Sequence, residues 1–132
     1  PEKEIDMGFI SDDKRAEKQR EIHERKERAE ETRRAAIVSF CDPQSIQVLV
    51  GKIEQAAQRA YGCSHSGFIA EVHVNHPLHE DVVGEAECEN ALLKALRKRE
   101  PATKRVTLVQ YAANSSSDKP TGVVVTFEPP LM

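Results

Sequence analysis

The stretch HVNHPLH, residues 73–79, holds three of the chain's five histidines. Imidazoles bind metals and carry protons near neutral pH. With Cys63 and His65 a short way upstream, the donors are of the kind that zinc takes. Zinc needs three or four of them about 2.0–2.3 Å from one point. The spacing argues against convergence. "GFIAEVHVN" reads as a strand, so His65 and His73 sit roughly 26 Å apart along it. Pro77 holds His76 extended and works against a helical face shared by His73, His76 and His79. Neither HExxH nor HxE…CxxC is present. His73, His76 and His79 therefore stand as weak metal candidates, and no cofactor is expected. The stretch reads mainly as a strand exit leading into a helix start, with His79 or Asp81 helping to cap it.

The three cysteines, Cys41, Cys63 and Cys88, form no disulfide framework and no CxxC pair. Cys88 falls on the inner stripe of a helix among acidic neighbours, which suits a core residue better than a thiolate. Cys41 precedes a helix start but adjoins Asp42. Cys63 and His65 share a loop, and Glu71 and His73 share a strand face, yet no third group stands ready to orient either pair. No catalytic residue is assigned. "NSSSDKPTG" has small donors but matches neither phosphate-loop pattern, so it reads as a mobile hairpin tip. A denser signal is the basic cluster Lys94, Arg97, Lys98, Arg99, Lys104 and Arg105. It could grip phosphates with a steep salt dependence, although no aromatic lies within it to stack on bases.

The elements that must position these residues fall into two unlike parts. Residues 11–35 carry nine basic and eight acidic residues with no Gly or Pro, a composition that favours helix. Ser11 with Asp12 or Asp13 suits its start. Glu21–Arg25, Glu24–Arg28 and Glu30–Arg34 are favourable i,i+4 pairs. The segment lacks an apolar stripe, since only Ile22, Ala29 and Ala36 recur, at a period of seven. A helix that is polar all round bridges solvent or waits for a partner, and as a coiled coil it would be a thin one. Residues 1–40 are read as a charged helical arm, with Ile22, Arg25, Ala29 and Arg33 as its candidate interaction residues.

Residues 41–132 read as a small α+β domain. Asp42 and Pro43 open a helix whose face runs through Ile46, Leu49, Val50, Ile53, Ala57, Ala60 and Tyr61, with Cys41 packing on Ile46 as a staple and Gly62 as the stop. A strand follows with Ala70, Val72 and Val74 inward. "EDVVGEAECENALLKALRKRE" makes a second helix with Cys88, Ala91, Leu92, Ala95 and Leu96 inward, ended by Pro101. "KRVTLVQYAA" and "TGVVVTFEP" are strands. The order is helix–strand–helix–strand–strand. It implies about three strands in a mixed sheet, with a parallel crossover and one hairpin, backed by two helices.

A net charge of −3 argues against bulk attraction to nucleic acid or to an anionic membrane. The longest apolar runs are too short to span a membrane, and "PEKEIDMGF" lacks the hydrophobic centre of a signal peptide. The free cysteines point to a reducing, cytoplasmic-type compartment and a chain that is not secreted. The expectation is a non-enzymatic protein for interaction or assembly, using the arm and a sheet edge toward a protein partner or a second copy. The alternative is a nucleic-acid-binding accessory protein using the 94–105 cluster. A histidine- or cysteine-dependent metal protein or enzyme is a distant third.

Overall fold

A computed structural model describes residues 9–111 and 120–132. The expected hairpin tip 114–119 and the first eight residues lie outside the described residues. The chain is α+β, with α1 Asp12–Phe40, α2 Pro43–Cys63, β1 Ile69–Asn75, α3 Ala86–Arg99, β2 Thr103–Gln110 and β3 Thr121–Leu131. Contacts divide it into two units, residues 1–35 and 36–132. The boundary falls inside α1 because Ile37 and Phe40, in its last turn, belong to the core of the second unit. From Asp12 to Ala35 no residue is buried, and only Ile22 and Arg33 are half-buried. Local ion pairs line this segment: Arg15–Asp12, Lys18–Glu21, His23–Glu27 and Arg33–Glu30.

α2 forms as its sequence directs. The Asp42 carboxylate accepts from the backbone N–H of Gln44 and Ser45, satisfying donors that the first turn cannot. Pro43 takes the position where its missing N–H costs nothing. Ile46, Leu49, Val50 and Ile53 are buried. The helix runs through Gly62 and ends only at Ser64, whose N–H reaches Tyr61 O. The left-handed glycine is instead Gly67, at φ +76°. α3 also differs from its expected span. Residues 80–84 form turns, Gly84 adopts φ +73° and donates to Leu108 O, and the helix starts two residues later. Cys88, Leu92 and Leu96 are its buried stripe.

The sheet order is β1-β3-β2, and both pairings are antiparallel. This corrects the expected mixed sheet. β1 and β2 run the same way and are joined by the α3 crossover, but β3 lies between them. The reason lies in β3 itself. It is the longest strand at 11 residues, and its run Val123–Val124–Val125 is apolar on both faces, which suits a strand bonded at both edges. The buried face is built from matched rows, Val72–Val125–Val106 and Val74–Val123–Leu108. α2 lies against β1, α3 against β2, and the two helices against each other. β1 was expected to turn Ala70 inward. A register irregularity between Ile69 and Glu71 buries Ile69 instead and leaves Ala70 exposed. No helix among the described residues is long and apolar enough to cross a membrane.

Candidate functional site

HVNHPLH leaves the sheet at the end of β1, and its three histidines go to three different partners. His73 Nε2 is 3.2 Å from Glu71 Oε1 on the strand face. His79 Nδ1 accepts from Asp81 N–H at 3.1 Å, inside the turn that follows. His76 Nδ1 lies 2.9 Å from Lys52 Nζ on α2. An ammonium can only donate, so His76 is neutral at Nδ1 in this arrangement. Partial burial pushes the His76 pKa below its ordinary value, and the Lys52 charge adds to the shift. Among the described residues, no group of three or more His, Cys, Asp or Glu side chains is placed to hold a metal ion.

What fixes this segment is a residue that the sequence did not single out. Thr121, at the start of β3, donates its hydroxyl to His76 O at 2.6 Å and accepts from Leu78 N–H at 2.8 Å, while its carbonyl takes the His76 N–H. A threonine bonded to both sides of Pro77 makes the segment a structural junction. The link joins positions 45 apart in sequence, so no local pattern announces it.

The basic cluster divides in the same way. Arg97 Nε donates to Thr103 O and ties the end of α3 to the start of β2. Arg99 Nη2 donates to both carboxylate oxygens of Glu54 on α2, at 2.8 and 2.7 Å. Lys104 pairs with Glu128 on β3, and that ammonium draws the Glu128 carboxyl below its usual range. Lys94 and Lys98 are exposed on α3, which packs on the buried face of the sheet, whereas Arg105 stands on the opposite face beside Thr126. Six cations that are dense in sequence thus do not form one surface.

The cysteines hold a contact of their own. Cys88 is fully buried and Cys41 half-buried, and the two side chains hydrogen-bond. Burial pushes the Cys88 thiol up to about 12, with Cys41 and then Glu85 and Glu87 adding to the shift. Such a thiol is a poor nucleophile at neutral pH. Cys41, expected as a staple on Ile46, thus meets Cys88 on α3. A cleft of about 570 Å³ opens at the other end of the sheet, between α2, α3 and β3. Val50, Ile53, Leu96 and Phe127 form its apolar wall, and the Glu54–Arg99 pair stands at its side. No histidine or cysteine lines it.

The sheet face away from α2 and α3 is the remaining surface of note. Its rows read Glu71–Thr126–Arg105, His73–Val124–Thr107 and Asn75–Gly122–Val109 across β1, β3 and β2. Glu71, His73, Asn75 and Arg105 are exposed, and Val124, Thr126, Thr107 and Val109 are half-buried. Tyr111 lies over Gly122 at one end, its ring 3.1 Å from where a Cβ would stand.

No family model, curated protein or solved structure matches this chain.

Proposed function

We propose that this chain is a non-enzymatic interaction protein that engages a protein partner through its charged helical segment, with residues 36–132 as the folded anchor. The observation that carries this reading is the state of α1 from Asp12 to Ala35, where a helix nine basic and eight acidic residues rich buries none of its side chains. Helices in folded proteins draw most of their stability from packing an apolar face. This one relies on local ion pairs worth roughly 0.2–0.5 kcal/mol each, and a partner supplies the missing contacts. Ile22 and Arg33, the two half-buried positions, lie on the stripe that Arg25 and Ala29 continue. The balanced charges favour a protein surface of mixed sign over a polyanion. The nucleic-acid alternative has less support, since Arg97, Arg99 and Lys104 are engaged within the fold.

The test is recovery of the native partner with the full chain and with an Ile22→Ala, Arg25→Ala, Arg33→Ala variant. Alanine keeps the helix, which far-UV circular dichroism verifies. Loss of the partner from the variant supports the proposal. Recovery of the same partner in the same yield refutes the role of this face.

A further inference from the structure

The open face of the sheet carries opposite charges at mirrored positions. Glu71 on β1 and Arg105 on β2 both pair in register with Thr126 on the central strand. They stand two strand spacings apart, roughly 10 Å, and within one copy the Glu71 carboxylate pairs with His73 on its own strand. A two-fold axis running along β3, above this face, places β1 of one copy over β2 of the next. Glu71 then faces Arg105 of the second copy, and Arg105 faces its Glu71. The same operation stacks Val124 near Val124 and Thr126 near Thr126, so β-branched side chains meet in the middle and charges meet at both rims. Aligned sheets cross at about 30°, an offset that side chains as long as Glu and Arg can span.

We propose that this face is a self-complementary dimer surface for a second copy of the chain. An isologous contact requires one patch to complement itself under a two-fold rotation, and the Glu71–Thr126–Arg105 row does so. The edges of the sheet fit a partner less well, because charged residues on both edge strands blunt strand addition. Three strands by about six residues give a face of roughly 300 Å² per copy, small beside a standard interface. The dimer is therefore weak and concentration-dependent. This inference concerns a different face from the charged helix and does not rest on the reading above.

Charge reversal tests it. Sedimentation equilibrium of the full chain across a rising concentration series is expected to show a monomer–dimer equilibrium. Glu71→Arg places two arginines on each face, and Arg105→Glu places two glutamates. Each variant alone is expected to sediment as monomer while its circular dichroism stays unchanged, since both sites are exposed. Mixed one to one, the two are expected to form a heterodimer, because every rim contact is again of opposite sign. The double variant in one chain is expected to dimerise as the wild type does. A wild type that stays monomeric at the highest concentration, single variants that dimerise normally, or a mixture that stays monomeric would each overturn the proposal. A dimer abolished by the Ile22, Arg25 and Arg33 substitutions but unmoved by charge reversal would assign self-association to the helix and overturn it too.

Discussion

Gly122 lies in the central strand, where a glycine weakens a sheet unless something forbids a side chain. A Cβ built there meets Val74 O at 2.5 Å, Tyr111 Cε2 at 3.1 Å and Tyr111 Oη at 3.2 Å. Non-bonded atoms prefer about 3.5 Å or more, so the carbonyl contact is roughly 1 Å too close. That carbonyl is backbone, held in the β1–β3 ladder, and cannot rotate away. Gly122→Ala must therefore spread the two strands. Overpacking of this kind costs about 1–3 kcal/mol. A contact of 2.5 Å against fixed backbone belongs at the upper end of that range, and the alanine returns about 0.4–1 kcal/mol by narrowing the unfolded ensemble, leaving a net loss of about 2 kcal/mol. For a folded unit of this size that lowers Tm by roughly 5–15 °C. Gly51, exposed inside α2 with nothing within 4 Å of its added Cβ, is the control. Gly51→Ala is expected to stabilise by about 0.5–1 kcal/mol, through helix propensity alone. Urea denaturation of both variants beside the wild type gives the comparison. Removing the ring with Tyr111→Leu relieves only part of the clash, so the Gly122→Ala, Tyr111→Leu pair recovers only part of the loss. A Gly122→Ala variant as stable as the wild type, or full rescue by Tyr111→Leu, would refute the reasoning.

Other expectations follow from single contacts. Leu92→Ala empties a site that is 0% exposed and is expected to cost about 2–5 kcal/mol by urea denaturation. Asp42→Ala removes the acceptor for two N–H groups of α2 and is expected to cost about 0.5–2 kcal/mol, with a matching loss of helix signal on heating. His76 is expected to titrate by NMR below the ordinary histidine midpoint of about 6.5, and Lys52→Met is expected to move it part of the way back. Because the folded pKa is depressed, the unfolded chain binds the extra proton first. The associated stability is full above about pH 6.5 and falls as pH drops from there toward the folded pKa. A His76 midpoint at or above 6.5 would sink that account.

Local chemistry made much of this protein legible in its sequence. Asp42, Pro43 and the Ile46–Ile53 stripe specify α2 by capping and by period, both of which act within a few residues. The charged composition of residues 11–35 specifies a helix without a core face, because helix pairing is also local. The cysteine and leucine stripe of α3 and the alternation of β2 follow from the same short-range rules. The helix starts and stops were less legible, since Gly62 and Gly84 are the same residue type and only Gly84 occupies a turn that docks on Leu108.

Strand order was decided elsewhere. Whether β3 pairs outside the hairpin or enters between β1 and β2 is a competition for the most buried position, and the outcome depends on three strands at once. The tertiary fold also determined where the charges went. It drew Arg97, Arg99 and Lys104 into internal contacts, and it sent His73, His76 and His79 to separate partners under the hold of Thr121. It brought Cys41 beside Cys88, and it set Glu71 and Arg105 on one row across Thr126. Each of these joins residues far apart in the chain, and a pattern read along the sequence carries only the period of one element, not the register of one element against another.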